Sequence, residues 1–183
     1  WQDFSIGAAA TVNFNQPSAS AVTLNRVVGA TPSLVEGALN ANGQVLLVNP
    51  NGVVFSNGSQ INVGGLVATT KNLTDENFQV GNFVFEGNSS ASILNLGEIT
   101  TARGGYVAMM AKEVQNQGRI TATLGKVELA GGERFTLNFN GNSLLKLSID
   151  QGTMDALVAN GGLIKADGGT VHLTTQAVDQ VLN

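Results

Sequence analysis

Seven residue identities recur in this chain at a spacing of 44: Asn116/Asn160, Gly118/Gly162, Ile120/Ile164, Ala122/Ala166, Gly125/Gly169, Val127/Val171 and Leu129/Leu173. Asn95, Gly97 and Ile99 stand 21 residues before the first set, and Gly105 and Val107 stand 20 before it. The unit is therefore about 20–22 residues, and one interval spans two of them. It reads Asn-x-Gly-x-Ile-x-Ala, then Gly-x-Val-x-Leu. Gly43 and Gly64 are also 21 apart, which carries the pitch back toward the start. Short strands at this period leave few solutions. The Leu-x-x-Leu-x-Leu frame of a leucine-rich repeat is missing, and a propeller blade needs about 40 residues. A parallel β-helix fits, with inward Ile, Val, Leu and Ala stacking on like residues of the next coil. Asn and Gly are expected at the corners because they tolerate positive φ. At about 4.8 Å per coil, the chain predicts about eight coils and a rod on the order of 40 Å long. The crossover rule predicts a right-handed coil.

Residues 41–71 show the same habit in concentrated form. Residues 45–48 run into Asn49-Pro50-Asn51-Gly52, residues 53–55 into Ser56-Asn57-Gly58-Ser59, and residues 61–63 into Gly64-Gly65. β-Branched runs this short between turn residues read as strands. Residues 1–30 alternate in period two, with a turn at Gln16-Pro17-Ser18. Residues 31–40 allow one helical turn by propensity, but Val35, Gly37 and Leu39 alternate and predict a strand. Residues 72–92 are looser, with a polar stretch over 72–79, a strand at 83–85 and a turn at 87–90. Between the repeats, residues 135–139 and 144–149 flank Asn140-Gly141-Asn142-Ser143, a hairpin signal. The reading is a hairpin over 134–150 that leaves the coil, with a degenerate coil as the alternative. The fold class expected is all-β: a single-stranded right-handed parallel β-helix with an extra-helical β-hairpin, one domain over 1–183.

Charged residues are 12% and aromatics 5%, while hydrophobic residues reach 43%. Asn, Gly, Ser and Thr take the surface role, which suits an extracellular β-rich surface. A net charge of −4 gives no basic footprint for nucleic acid. No Lys/Arg-rich amphipathic face predicts stable membrane insertion. The run from Glu36 to Lys71 has no charge inside it, but Pro50 and its many Asn and Gly defeat a membrane span. There are no cysteines, hence no disulfide framework and no thiolate metal site. The chain begins at Trp1 with no basic-then-apolar leader and reads as a processed or trimmed piece.

His172 is the one histidine; it alternates with Val171 and Leu173 and is expected to point outward. One histidine supports neither a triad nor a metal cluster. Asp75-Glu76 is the adjacent acidic pair, and Asp150, Asp155 and Asp167 are scattered, so no two carboxylates are placed across a cleft. No catalytic residue, metal site or cofactor is expected. Asn-x-Ser/Thr sequons occur at Asn57, Asn72 and Asn88. The strongest candidate site is Asn49-Pro50-Asn51-Gly52, which by itself is a tight turn: Pro presets φ and Gly accepts positive φ.

Three stretches resemble the secretion domain of two-partner-secreted exoproteins. These are Trp1-Gln-Asp-Phe-Ser-Ile-Gly7; Val12-Asn-Phe-Asn-Gln-Pro-Ser18 with residues 21–28 (AVTLNRVV); and residues 41–69, where NPNG stands between ANGQVLLV and GVVF and is followed by INVGGLVA. That family includes filamentous haemagglutinins, high-molecular-weight adhesins and contact-dependent inhibition toxins. The match is strong over about 1–125, with 1–92 as the family-specific region and 93–183 as regular repeats. The resemblance implies a right-handed β-helix with a capping segment ahead of Trp1. It also implies secretion by a Gram-negative cell through the periplasm to its surface. The implied partner is an outer-membrane β-barrel transporter with periplasmic domains. It implies a role in transporter recognition or folding nucleation for Asn49, Pro50, Asn51 and Gly52. Asn13, Asn15, Gln16, Asn25 and Arg26 are read as a polar surface for the transporter, against solvated corners and ladder asparagines. The chain is read as a monomeric, non-enzymatic virulence module. Direct contact with a host-cell glycan or protein is one alternative, and a β-helix carbohydrate-active enzyme the other.

Overall fold

A computed structural model describes residues 1–177. The chain winds through three parallel sheets in fixed order, here called B, C and A. The first coil is β1 (Thr11–Phe14), β2 (Val22–Arg26) and β3 (Ser33–Val35), and the second β4 (Ala38–Ala41), β5 (Gln44–Val48) and β6 (Val53–Phe55). The third has β7 (Gln60–Val63) and β8 (Gly65–Thr69), then an excursion with α1 (Asp75–Gln79) and β9 (Phe83–Glu86), and returns as β10 (Ser92–Asn95). The fourth is β11 (Glu98–Thr101), β12 (Tyr106–Ala111) and β13 (Glu113–Asn116). The fifth has β14 (Arg119–Thr121) and β15 (Lys126–Gly131), a second excursion with β16 (Arg134–Asn140) and β17 (Ser143–Gln151), and β18 (Leu157–Asn160). β19 (Leu163–Lys165) and β20 (Thr170–Thr175) follow. Sheets B and C each have six strands and sheet A has five.

The sequence repeat is the sheet register. Asn95, Asn116 and Asn160 are Cα partners, as are Ile99, Ile120 and Ile164, and Val107, Val127 and Val171. Inside, Val45, Leu47, Leu66, Ala68, Val107, Met109, Val127 and Leu129 stack in one continuous core. Among the described residues there are six coils rather than the eight expected, spanning about 24 Å from first to last strand of a six-stranded sheet. The reason is that both excursions leave at the same corner, between sheet C and sheet A, and each uses about one coil's length of chain. The polar stretch 72–79 contains a helical turn rather than loop alone: Thr74 caps α1 by accepting from the Asn77 backbone N–H, and Asp75 and Glu76 sit in its first turn.

The second excursion is an antiparallel hairpin, and its β16 also pairs antiparallel with β9 of the first. Together they form a three-stranded sheet D of order β17–β16–β9. Sheet D covers the outer face of sheet C, where Leu46, Val48, Val67, Tyr106, Met110 and Ala130 pack against Leu73, Phe85, Phe135, Leu137 and Leu144. Sheet C is thus buried on both faces, which is why β5, β8 and β12 read as unbroken apolar runs instead of alternating.

The repeated glycines sit at corners, but for a different reason from the one expected. A Cβ on Gly105, Gly125 or Gly169 would lie 2.0–2.1 Å from the glycine carbonyl oxygen of the coil below, and one on Gly118 or Gly162 2.1–2.2 Å. Close backbone approach between coils demands glycine here; these positions do not have positive φ. The left-handed conformation falls one residue earlier, at Gly104, Leu124 and Gly168.

Candidate functional site

The NPNG stretch makes the corner between sheets C and A in the second coil. Its turn closes with the Gly52 N–H donating to the Asn49 carbonyl at 3.0 Å, and Gly52 has φ of 111°. The Asn49 backbone N–H donates to the Thr69 carbonyl of the third coil, and the Ser33 N–H donates to the Gly52 carbonyl from the first. The Asn49 side chain is fully buried. Its amide donates to the Thr31 carbonyl at 3.0 Å and Ser33 Oγ at 2.9 Å, and its Oδ1 accepts from the Asn51 backbone N–H at 2.9 Å and Asn51 Nδ2 at 3.0 Å. Asn51 Nδ2 also donates to the Gly29 carbonyl at 2.8 Å. Pro50 is exposed, and its carbonyl accepts from Ser89 Oγ of the first excursion at 2.6 Å.

One coil further, Lys71 stands at the base of that excursion, fully buried. Its Nζ donates to the carbonyls of Gly87 and Ser89, each at 2.9 Å. Burial pushes its pKa below the ordinary lysine value; nearby Lys112 acts the same way and Glu133 opposes both. The corners of coils one, two and three are therefore one hydrogen-bonded column, from Gly29, Thr31 and Ser33 through Asn49–Gly52 to Lys71 and the 87–89 loop. Such a column can set coil register and hold an excursion in place. It contains no nucleophile paired with a base.

The other sequence-predicted residues do not join it in one surface. Asn13 lies on the outer face of sheet B, where it accepts from Asn40 Nδ2, and Asn40 accepts from Asn62, an exposed ladder. Asn15 is exposed near the corner between sheets B and C. Gln16 staples that corner: its Nε2 donates to the Ala21 and Gln44 carbonyls, and its Oε1 accepts from the Gly43 N–H. Asn25 faces inward and is buried, with Oδ1 accepting from Trp1 Nε1 at 3.0 Å. Arg26 points outward from sheet C and ties down the first excursion, pairing with Asp75 at 2.8 Å and donating to the Leu73 carbonyl. His172 is exposed and meets the buried Glu128 carboxylate at 2.9 Å. Asn57, Asn72 and Asn88 are all exposed, the last two on the first excursion.

Sequence reasoning missed four participants. Lys71 showed only as the end of the uncharged run, because its acceptors are main-chain carbonyls that no side chain announces. Ser89 gave no signal for the same reason, since its hydroxyl donates to the Pro50 carbonyl, and Ser33 gave none because its partner, the Asn49 amide, lies 16 residues away. Tyr106 is the fourth: its ring lies over Gly65, where a Cβ would come within 2.6 Å of it, and its hydroxyl donates to Gln44 Oε1 at 2.7 Å beneath sheet D. Burial raises the Tyr106 pKa.

The whole chain, residues 1–183, matches the family described as the TPS secretion domain. The chain belongs to the TPS secretion domain family. This TPS secretion domain is 36% identical over 196 residues to the heme/hemopexin-binding protein of Haemophilus influenzae, matching all of this chain and 21% of that protein. It is 27% identical over 138 residues to the filamentous hemagglutinin of Bordetella pertussis, matching 71% of this chain and 4% of that protein. The chain therefore spans about a fifth, or far less, of the length of these relatives. The crystal structure of the HMW1 secretion domain from Haemophilus influenzae superposes with a TM-score of 0.86 at 32% identity, covering 93% of this chain and 46% of that one. Membership places the TPS secretion domain in two-partner secretion of adhesin-like exoproteins, exported through the periplasm to the cell surface or beyond.

Proposed function

We propose that this TPS secretion domain directs the exoprotein that carries it to an outer-membrane β-barrel transporter with periplasmic domains, and then starts β-helix folding outside the cell. The single observation that carries the second half is the three-coil column at the corner between sheets C and A. Asn49 exposes no side-chain surface: its Nδ2 joins coil two to Thr31 and Ser33 of coil one, and its Oδ1 holds the turn by accepting from Asn51. On this reading NPNG serves export by setting the register on which later coils stack, and the folded domain shows the transporter no Asn49 amide. Residues 1–92 carry the motif-bearing coils and residues 93–183 the regular ones, within one monomeric domain.

The domain acts without catalysis. In support, the carboxylates of Asp75, Glu98, Glu86 and Asp167 are each taken up in an ion pair, with Arg26, Arg119, Arg134 and Lys165. Direct host-cell contact has weaker support. Of the two aromatics that would favour it, Tyr106 is fully buried, which leaves Trp1 at 61% exposure. A reporter joined to the domain, in cells carrying the partner transporter, tests the reading. Export of the reporter that requires both domain and transporter is expected; equal export without the domain would refute it.

A further inference from the structure

The two excursions that make sheet D do not depend on each other equally. Apart from a local bond from the Val84 N–H to the Asn82 carbonyl, the β9 backbone finds its partners among the described residues in the Asn72–Glu86 bridge and in β16. β16 has β17 as well. Phe83, Val84, Phe85 and Glu86 stand opposite Leu137, Thr136, Phe135 and Arg134, with Glu86 and Arg134 separated by 48 positions in the chain. The junction is specific. Arg134 pairs with Glu86 at 3.3 Å, the Gly87 N–H donates to the Glu133 carbonyl at 3.3 Å, and the Phe83 ring packs on Phe139 at 4.9 Å. Without β16, β9 holds unpaired amides against an apolar sheet. The coil has no such debt: through the fourth coil, every strand of sheets A, B and C has at least one parallel partner among the strands that precede residue 117.

We infer that β9 is a receiver strand. It lies on the outer face of sheet C as an open edge until residues 134–140 add to it, so that the cover closes late and as one unit over a coil already wound. Strand addition here is internal: the incoming strand comes from the same chain, pairs antiparallel and seats Phe135 and Leu137 in the second core. Before closure, Leu46, Val48, Val67, Tyr106 and Met110 form an open apolar face. The inference rests on the reading that folding starts in the first coils, but its test needs no transporter, so the two can fail separately.

Hydrogen exchange of the intact 1–183 chain, resolved by peptide, tests it. In the parent, peptides across 72–86 and 134–151 are expected to open at a common rate, faster than the sheet B peptides 98–101 and 119–121. Leu137 lies opposite both Phe83 and Leu147 and is 2% exposed. Leu137→Ala is expected to speed exchange of 72–86 by roughly tenfold or more and leave sheet B at its parent rate. Phe83→Ala is expected to open 72–86 while 143–151 keeps most of its protection, because the hairpin pairs with itself. Unchanged protection of 72–86 in Leu137→Ala would overturn the inference, and so would sheet B accelerating by the same factor.

Discussion

Replacing Asn49 with alanine removes four hydrogen bonds from a site with no solvent to replace them. Two are donated, to Thr31 and Ser33, and two are accepted from Asn51. A typical bond is worth about 1 kcal/mol net, and a buried group left without a partner costs about 1–3 kcal/mol. Ser33 is itself fully buried, so its hydroxyl is left stranded. The expected loss for Asn49→Ala is about 3–4 kcal/mol, a large part of the roughly 5–15 kcal/mol that holds a domain folded. Asn51→Ala removes the Nδ2 contacts to Gly29 and Asn49 but keeps the backbone N–H bond to Asn49 Oδ1, so about 1–2 kcal/mol is expected. Asn49→Asp keeps the two bonds accepted at Oδ1 but turns its second carboxylate oxygen toward the Thr31 carbonyl, and is expected to be at least as damaging as alanine. The assay is equilibrium urea unfolding of the 1–183 chain, followed by circular dichroism and by the fluorescence of Trp1, which bonds Asn25 in the first coil. A loss under about 0.5 kcal/mol for Asn49→Ala, or a greater loss for Asn51→Ala, would refute the claim that the column is held by Asn49.

Three further outcomes follow from the same geometry. Gly125→Ala places a Cβ 2.0 Å from the Gly105 carbonyl oxygen, a backbone atom that cannot swing away, and should cost about 3 kcal/mol or more in the same unfolding assay. Tyr106→Phe strands Gln44, whose Nε2 is already unpartnered, at about 1–2 kcal/mol; adding Gln44→Met should recover most of that, as a double-mutant cycle will show. Lys71 has its folded pKa depressed, so the unfolded chain binds more protons at alkaline pH. Its contribution to stability should therefore rise as pH climbs from the depressed value toward about 10.5, where unfolded lysine titrates, and that rise should vanish in Lys71→Met when midpoints are compared between pH 7 and 10.5.

Much of the coil was legible because register in a stacked helix is local arithmetic. Identical inward residues 20, 21 or 44 apart became Cα partners, and the Asn95–Asn116–Asn160 run became a hydrogen-bonded ladder, buried at Asn95 and Asn116, with Nδ2 to Oδ1 distances of 2.7 and 2.6 Å. The hairpin was legible from Asn140-Gly141. Its second pairing was not, because a β9–β16 match across distant chain segments leaves no periodic trace. That same blindness hid the second core, although the unbroken apolar runs of β5, β8 and β12 were its mark, and it inflated the coil count. The glycine ladders were located correctly but for the wrong cause, since close approach between coils depends on what lies one repeat away. The candidate polar residues were spotted one by one. Sequence could not show that Asn13, Asn25, Arg26 and Asn49 face four different ways, because each direction is set by its strand's place in the coil.

The most direct test compares two destabilised chains. Export through the partner transporter would be measured for Asn49→Ala and for Gly118→Ala, a variant with NPNG intact and a Cβ 2.2 Å from the Gly97 carbonyl oxygen, after urea unfolding has ranked both. If NPNG acts through the fold, export of the two falls together, in proportion to stability lost. Full export of Gly118→Ala beside abolished export of Asn49→Ala would contradict that and make the motif a recognition signal in its own right.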